Sequence, residues 1–491
     1  MLLYSHAGDA VRSFLDTEFT KTMKNKIGIW IMVFCIAGIS VDAQQAAKRI
    51  DSLVNALYNR GQFNGSILVS VRGKVLYEKA KGKAYLQTGA DFTLNIPCYV
   101  ASVSKQFAAI TVMMLQEKYK LKLDDVITKY IPGLPAWAQT VTIKHLLNHT
   151  SGIVNYEQLG IDHPGITNQE VISKISKLTA LRSQPDQKYE YSNTGYVLLA
   201  VIIEKVSGMS YAEFLDKYIF KPLKMDNTFV FTPATQAEAR ATAYGKFGGI
   251  SDYGGFTTGD GGIFSTVEDM FIWDKTLFTG KLVSRAALNE AFRPAILTNG
   301  TQSPYGYGWM LKDENGEKIV YHTGGSGGFR TYNELQLNSQ IAIIILTNNE
   351  NSHRTDIRNA IVNILHNRSS TLPRISVATK MNNIRNQLGL DSAINFYRQN
   401  KQHDDGIYDF AEQELNLLGY KYLSENKVDD AVRIFQLNVG TYPGSSNAIE
   451  SLGEAYLQHG DKKAALEEFN KSLSIDPNNA DAIRMLKKIN N

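Results

Sequence analysis

At residues 102–114 the chain reads Ser102-Val-Ser-Lys105-Gln-Phe-Ala-Ala-Ile-Thr-Val-Met-Met114. Apolar side chains recur here at helical spacing, which predicts a helix from Ser102 to Lys118 with one buried face. Ser102 would stand at the helix start, where its hydroxyl meets unpaired backbone N–H groups and the positive end of the helix dipole. Lys105 would lie on the same face one turn later. A serine nucleophile needs a base, and a lysine is one when burial or a nearby cation favours its neutral form.

The serine–lysine spacing alone is weak evidence, because the same pattern recurs at Ser424-Glu-Asn-Lys427. That second copy lies in a turn between two predicted helices, where Ser, Asn and Lys suit a solvated loop. At Ser102 the alternative to catalysis is a helix cap followed by a surface lysine. Two later motifs favour catalysis: Tyr191-Ser-Asn193, in a non-helical turn, and His322-Thr-Gly-Gly325, at the end of a predicted strand.

Three elements in this order resemble the active-site motifs of serine β-lactamases and penicillin-binding proteins: Ser102–Lys105, Tyr191–Asn193 and His322–Gly324. A tyrosine in the second element is similar to the class C variant of this superfamily. The resemblance extends over roughly residues 45–365. Three supporting phrases also resemble the family: Leu146-Leu-Asn-His-Thr-Ser-Gly152, Gly259-Asp-Gly-Gly-Ile-Phe-Ser-Thr266 and Tyr305-Gly-Tyr-Gly-Trp309.

The resemblance implies an acyl-enzyme mechanism without a cofactor or metal. Ser102 would attack a carbonyl carbon while Lys105 and Tyr191 move its proton, first from the serine and then to the leaving group. The backbone N–H groups of Ser102 and Gly325 would form the oxyanion hole. His149, in the first supporting phrase, would either orient its loop or lie close to substrate. The residues expected to bind substrate are Asn193, His322, Thr323, Gly324 and Gly325.

The third element departs from the β-lactamase pattern, which usually opens with lysine. Here it opens with His322, and an unperturbed histidine is largely neutral at pH 7, so recognition of a substrate carboxylate should be weaker. This substitution favours peptide or amide substrates, as in D-amino-acid peptidases and carboxypeptidases. A carboxylesterase and a β-lactamase are the alternatives within this chemistry. A penicillin-binding sensor that never turns over, or a scaffold built on the C-terminal repeats described below, is the alternative of another class.

A competing hydrolase motif overlaps the third element, because Gly324-Gly-Ser-Gly-Gly328 also fits the G-x-S-x-G nucleophile elbow. That elbow requires a helix directly after its serine. The following stretch, Phe329–Leu337, predicts a strand instead, so we interpret the glycines as a flexible turn beside the cleft. No H-E-x-x-H, paired-cysteine or clustered-carboxylate motif indicates a metal site.

The order of predicted elements indicates an α+β fold for the hydrolase region, residues 44–368, with an antiparallel sheet flanked by helices plus a helical subdomain. A helix over residues 46–58 precedes two strands over 65–77, which fold back at Arg72-Gly73. A largely helical section follows over residues 143–271. Strands are predicted again over residues 318–322, 332–337 and 341–347, so the first and last strands can share one sheet.

The C-terminal region, residues 411–491, repeats itself with a period of 34 residues, the tetratricopeptide spacing. Each unit is a helix pair in which small residues allow close approach and aromatic residues fill the space between the helices. Residues 369–410 form a helical linker, possibly a degenerate repeat, since Ala393, Ile394 and Tyr397 resemble a second repeat helix. The repeats either bind a protein or pack on the hydrolase. The recurring residues are Leu418, Gly419, Tyr422, Ala431, Phe435 and Pro443, matched by Leu452, Gly453, Tyr456, Ala465, Phe469 and Pro477.

Residues 1–43 indicate that the start codon is assigned too early, at Met1, and that a cleaved signal peptide follows. A short basic start at Met23–Lys26 precedes an apolar run that is too short for a span of roughly 20 residues. We therefore expect a periplasmic or secreted protein without a stable membrane anchor. The 52 Lys and Arg against 48 Asp and Glu leave no basic footprint for nucleic acid. Cys98 is expected to be a small buried residue rather than half of a disulfide.

Overall fold

The computed structural model describes residues 43–118, 120–236 and 239–490. The predicted early start and signal peptide therefore lie almost wholly outside the described residues. Within these ranges no helix is long and apolar enough to cross a membrane. The strands are β1 (Gly65–Val71), β2 (Lys74–Lys81), β3 (Lys83–Tyr85), β4 (Ala90–Asp91), β5 (Cys98–Tyr99), β6 (Phe229–Val230), β7 (Ile263–Ser265), β8 (Met310–Glu314), β9 (Glu317–Ser326), β10 (Phe329–Gln336), β11 (Ile341–Thr347), β12 (Ile375–Ser376) and β13 (Tyr408–Asp409).

Helices alternate with these strands and then continue alone to the C-terminus, which confirms the predicted α+β class and all-helical end. The helices are α1 (residues 43–59), α2 (Lys105–Glu117), α3 (Ile143–Leu147), α4 (Asn168–Ile175), α5 (Asn193–Ser207), α6 (Tyr211–Leu215), α7 (Lys221–Leu223), α8 (Val267–Leu277), α9 (Arg285–Ala291), α10 (Arg354–Leu365), α11 (Val377–Leu388), α12 (Leu390–Gln402), α13 (Glu412–Ser424), α14 (Val428–Thr441), α15 (Ser446–His459), α16 (Lys462–Ile475) and α17 (Ala480–Asn490).

The main sheet is antiparallel, with six strands in the order β2-β1-β11-β10-β9-β8. Its N-terminal hairpin turns at Arg72 and Gly73, both with positive φ, as the sequence predicts. The first and last strands do share this sheet, since β1 pairs with β11 along its whole length. Strand β8 lies at the edge and had no clear signal in the sequence.

Strand β11 is buried on both faces, because helices cover the sheet on each side. Ile344 and Leu346 face the larger core, which contains α2 and α5, whereas Ile343 and Ile345 pack with α1 and α10. A strand covered on both faces needs an almost continuous apolar run rather than alternation. The sheet is thus a rigid platform that presents the end of β9 to the helical subdomain.

The C-terminal helices pack in consecutive pairs, and the repeated glycines show why. A Cβ atom on Gly419 would lie 2.4 Å from the ring of Phe435, and one on Gly453 would lie 2.8 Å from Phe469. The glycine and the phenylalanine of each repeat therefore touch, and the helices approach closely because the glycine has no side chain. Helices α11 and α12 also pair, with Ala393 and Tyr397 buried.

This helical region packs on the hydrolase region. Lys246 donates through Nζ to Glu414 on α13 at 2.6 Å, and its carbonyl accepts from Asn351 and Thr379. Phe247 packs against the apolar core of α11 to α15. The loop that carries Lys246 and Phe247 runs on to Asp252 and Tyr253, which line the cavity described below.

One buried carboxyl makes the free energy of unfolding depend on pH. Asp274 is 1% exposed, and burial raises its pKa to about 8. An unfolded carboxyl ionises near pH 4, so the free energy of unfolding should fall as pH rises from about 4 to about 8. Asp274→Asn removes this titration and keeps an acceptor for Asn333, whose Nδ2 donates to Oδ1 at 2.9 Å.

We expect Asp274→Asn to raise the free energy of unfolding by at least ~1 kcal/mol at pH 8 and by little at pH 4.5. Urea unfolding at both pH values measures this difference. Asp313→Asn, at an exposed hairpin, is the control for loss of one carboxylate. An equal effect of Asp274→Asn at both pH values would contradict the expectation.

Candidate active site

Ser102 lies in a tight turn between β5 and α2. The predicted helix is shorter than expected at its start, because residues Ala101–Ser104 form a 3-10 turn and the α-helix begins at Lys105. Ala101 has a φ of +50°, an unfavourable backbone conformation for a residue with a side chain, and such conformations occur disproportionately at functional sites. This turn leaves Ser102 partly exposed at the cavity.

Lys105 is fully buried and makes three polar contacts. Its Nζ lies 3.2 Å from Ser102 Oγ, 2.7 Å from Asn193 Oδ1 and 2.7 Å from the carbonyl oxygen of Asp260. The amide and carbonyl oxygens only accept hydrogen bonds, so they occupy two amine protons. When the amine is neutral, its lone pair is left to face the hydroxyl of Ser102. The geometry therefore suits a base that removes the proton of Ser102.

Burial lowers the pKa of Lys105 to about 8, and the negative charge of Asp260 and Glu157 opposes the shift. About a tenth of the amine is then neutral at pH 7, far more than for an ordinary lysine. A general base with a pKa near the working pH is the most efficient. Burial therefore shifts Lys105 towards its neutral form, as a lysine that acts as a base requires.

Tyr191 contacts both residues. The hydroxyl of Ser102 is near enough to lower the pKa of the Tyr191 phenol, and the Tyr191 ring lies 5.0 Å from Lys105 Nζ. Burial raises the pKa of Tyr191 well above its ordinary value, so its phenol keeps its proton. Tyr191 is then suited to donate a hydrogen bond or a proton, while Lys105 is suited to accept one.

His149 lies beneath Tyr191 and is 1% exposed. Its ring centroid is 4.2 Å from that of Tyr191, and its Nδ1 accepts from the backbone N–H of Ser192 at 3.2 Å. Burial lowers the pKa of His149 well below its ordinary value. Of the two interpretations from the sequence, these contacts favour the one in which His149 orients its surroundings, and it does not line the cavity.

Asn193 is the first residue of α5 and links two parts of the cavity. Its Oδ1 accepts from Lys105, and its Nδ2 donates to Glu157 Oε1 at 2.8 Å. The backbone N–H of Asn193 donates to Asn155 Oδ1 at 3.3 Å. The side chain thereby fixes the position of Lys105 and stands at the cavity wall.

His322 is 1% exposed and neutral. Its Nδ1 lies 2.7 Å from the carbonyl oxygen of Thr323, so Nδ1 carries the proton and Nε2 accepts from the hydroxyl of Tyr305 at 2.9 Å. Burial, reinforced by the charge of Lys105, lowers the pKa of His322 to about 3. His322 therefore provides no positive charge in the third motif, as expected where histidine replaces the lysine of β-lactamases.

The glycines after His322 approach the nucleophile turn. A Cβ atom on Gly324 would lie 2.4 Å from the carbonyl oxygen of Val100, so only glycine allows β9 to pack there. The predicted flexible turn is wrong in part, because β9 continues to Ser326 and pairs with β10; only Gly327 and Gly328 turn. Gly325 is exposed and lines the same cavity as Ser102, and its role in an oxyanion hole stays a prediction.

Ser102, Asn193 and Gly325 line one cavity of about 260 Å³, while Lys105 and Tyr191 contact Ser102 from behind its wall. Of the predicted substrate-binding residues, His322, Thr323 and Gly324 do not line it, and their contact with substrate stays a prediction. The sequence-based analysis missed Glu157 and Asp260. The other lining residues are Tyr99, Ala101, Tyr156, Glu157, Asp162, His163, Pro164, Ile166, Asp252, Tyr253, Gly254, Gly255, Thr257, Asp260, Gly261, Ser326 and Gly327.

The fold and the contacts around Lys105 define a serine hydrolase of the β-lactamase and penicillin-binding-protein type. The family described as Beta-lactamase matches residues 50–367, and the chain belongs to this family. The tetratricopeptide repeat family matches residues 447–479, which span α15 and α16.

Named relatives agree with this assignment. The chain is 34% identical over 333 residues to penicillin-binding protein 4* of Bacillus subtilis (strain 168), covering 62% of this chain and 73% of that protein. It resembles the structure of D-amino acid amidase from Ochrobactrum anthropi SV3, with a TM-score of 0.57, 25% identity and coverage of 66% and 99% of the two chains. A class C β-lactamase shares the fold, with a TM-score of 0.56 and 21% identity over 66% of this chain and 96% of that one.

Proposed function

We propose that this protein is an exported hydrolase that cleaves amide or peptide bonds through an acyl-enzyme on Ser102. The observation that carries the proposal is the position of Lys105 Nζ, 3.2 Å from Ser102 Oγ and held by two acceptors. A surface lysine after a helix cap would not be fully buried. The alternative interpretation of the motif as a cap is therefore disfavoured.

In the first half-reaction, Ser102 Oγ bonds to the substrate carbonyl carbon as Lys105 takes the hydroxyl proton. The backbone N–H groups of Ser102 and Gly325 stabilise the oxyanion. The carbon–nitrogen bond then breaks, and the leaving amine receives a proton through Tyr191. In the second half-reaction, a water molecule attacks the acyl carbon while Lys105 takes one of its protons. The bond from the acyl carbon to Ser102 Oγ then breaks, Oγ recovers that proton, and the acid product leaves.

The neutral third motif supports this substrate class. A substrate carboxylate finds no fixed cation at His322, which argues against β-lactams and for amides or peptides. One structural relative, D-amino acid amidase, is named for an amide substrate. A carboxylesterase or β-lactamase activity uses the same acyl-enzyme and is the alternative.

The test is a substrate panel offered to purified protein beginning at residue 44. We expect the ratio of kcat/KM to the uncatalysed rate to be higher for D-amino-acid amides than for a p-nitrophenyl ester. A chromogenic cephalosporin should be a poor substrate. A preferred cephalosporin would make the protein a β-lactamase. Stable labelling of Ser102 without turnover on any substrate would favour the penicillin-binding sensor instead.

The helical region offers a place for a protein partner, which we propose as its second role. A cavity of about 640 Å³ lies between α12 and α14, and its wall includes Arg398, Lys401 and Arg433. Tetratricopeptide helices commonly present such concave surfaces to peptides. Arg398→Glu should abolish binding of a protein partner at this cavity and leave hydrolysis unchanged. If no partner binds there, packing on the hydrolase region is the sole role of the helical region.

A further inference from the structure

One loop of the hydrolase region connects the C-terminal helical region to the cavity described above. We call this segment, residues 244–253, the docking loop. Lys246 and Phe247, near its start, contact the helical region, whereas Asp252 and Tyr253, at its end, line the cavity. The docking loop therefore touches both places within a short stretch of chain.

The helical region holds Lys246 by its side chain and by its backbone. Lys246 Nζ lies 2.6 Å from Glu414 Oε1, and the two side chains are only 21% and 10% exposed. Charges that are shielded from water interact more strongly than exposed ones. The carbonyl oxygen of Lys246 accepts from Thr379 Oγ1 at 3.2 Å, and Phe247 packs in the apolar core of the same helices. The start of the docking loop is thus fixed from the helical side.

Glu350 lies between the docking loop and the β9–β10 hairpin, and each of its carboxylate oxygens holds one of them. Oε2 accepts from the backbone N–H of Lys246 at 2.8 Å, and Oε1 accepts from Arg330 Nη2 at 2.8 Å. Arg330 Nη1 donates to the carbonyl oxygens of Gly327 and Phe329 at 2.7 and 2.8 Å. Hydrogen bonds to charged groups are the strong ones. A continuous chain of them therefore runs from the helical region to the turn of the hairpin.

The turn of this hairpin also packs directly on the docking loop. The backbone N–H of Gly328 donates to the carbonyl oxygen of Ser251 at 2.7 Å. A Cβ atom on Gly328 would lie 2.2 Å from the carbonyl oxygen of Tyr244, so the contact has no room for a side chain. Gly325, whose N–H is expected in the oxyanion hole, pairs with Arg330 in the same hairpin. A shift of the docking loop would therefore shift the cavity wall that carries Gly325.

We propose that Glu350 is a positioning residue that, through Lys246 and Arg330, makes hydrolysis depend on the docked helical region. This inference rests on the proposed acyl-enzyme at Ser102 and goes beyond it, because it gives the helical region a part in catalysis. Glu350 does not line the cavity and acts only through the hairpin. A displaced oxyanion hole weakens interactions made in the transition state, so it lowers kcat more than it raises KM.

The first variants are Glu350→Gln and Glu414→Gln in the full chain, assayed on the best substrate of the panel above. Glutamine at 350 has one acceptor oxygen, so it accepts from Lys246 or from Arg330 and not from both. Glutamine at 414 breaks the ion pair with Lys246 and keeps an acceptor for Ser376. We expect each change to lower kcat about 2- to 30-fold, with KM changed less than about twofold.

The double variant tests whether the two carboxylates act along one chain of contacts. If Glu414 acts through Glu350, the loss of kcat in the double variant should be smaller than the product of the two single losses. Asp430→Asn is the matched control, because it removes an ion pair with Arg385 inside the helical region whose side chains are 24% and 23% exposed. It should leave kcat within about twofold.

Hydrogen exchange gives a second readout that does not depend on activity. Because the N–H of Gly328 donates to Ser251, peptides that cover residues 324–331 should exchange faster in both glutamine variants than in the wild type or in Asp430→Asn. Exchange in the rest of the main sheet reports whether the variants stay folded.

The outcomes separate this inference from the proposed function. An unchanged kcat in Glu350→Gln and Glu414→Gln would overturn the part of the helical region in catalysis, and unchanged exchange would overturn the connection itself. Turnover that persists in Ser102→Ala would overturn the acyl-enzyme, whereas the exchange result tests the connection without it.

Discussion

Ser102→Ala should lower kcat/KM for every hydrolysed substrate by at least about 10⁴-fold. The alanine removes the only atom that forms the acyl bond, while Lys105, Tyr191 and the backbone N–H groups keep their places. The variant loses a single side-chain hydrogen bond to Lys105, so its stability should change by about 1 kcal/mol. Steady-state kinetics measures the loss, and mass spectrometry after a quench should detect an acyl adduct only in the wild type.

The chain provides its own control for this substitution. Ser424 has a lysine three residues later, as Ser102 does, but it lies exposed at the end of α13, where its hydroxyl donates to the carbonyl oxygen of Lys421. Ser424→Ala should leave kcat/KM within about twofold. Full activity of Ser102→Ala would remove Ser102 from the mechanism, whatever its neighbours do.

Local patterns were sufficient for much of the fold. The apolar run of β11, the Arg72-Gly73 turn and the strand at Phe329 each follow from residue types within a short window. The 34-residue period predicted two equivalent helix pairs with small and aromatic residues between the helices, and the contact of Gly419 with Phe435 recurs 34 residues later between Gly453 and Phe469. Such features were predictable because their causes lie close together in the chain.

The charge of the cavity could not be predicted in this way. Glu157 and Asp260 are far apart in sequence, and only the folded chain brings both to the cavity, where Asn193 donates to Glu157 and Lys105 donates to the backbone carbonyl of Asp260. Asp260 lies in the glycine-rich phrase Gly259–Thr266, which in the sequence indicated only a resemblance to the family. The start of α2 was misjudged for a related reason, since the backbone of Ala101 is set by packing against β9 and not by helix propensity.

Lys105→Met should lower kcat/KM by about 10²- to 10⁴-fold, the usual contribution of a general base. Methionine fills a similar volume without an amine, so Ser102 keeps its place but loses the acceptor for its proton. The pH profile carries the sharper information. In the wild type the pKa of Lys105 is about 8, so kcat/KM should rise as pH increases through that value and then level off, because the neutral amine is the active form.

The matched control is Lys427→Met, at the other serine–lysine pair, where the lysine is half-buried and contacts Glu425. It should preserve both the activity and the rise with pH. Lys105→Arg separates charge from basicity, since a guanidinium stays protonated over the whole range and should be as inactive as methionine. A wild-type profile that is flat from pH 6 to 9 would contradict a neutral Lys105 as the base and would transfer that role to another group near Ser102. Tyr191 would be a poor replacement, because burial raises the pKa of its phenol far above this range.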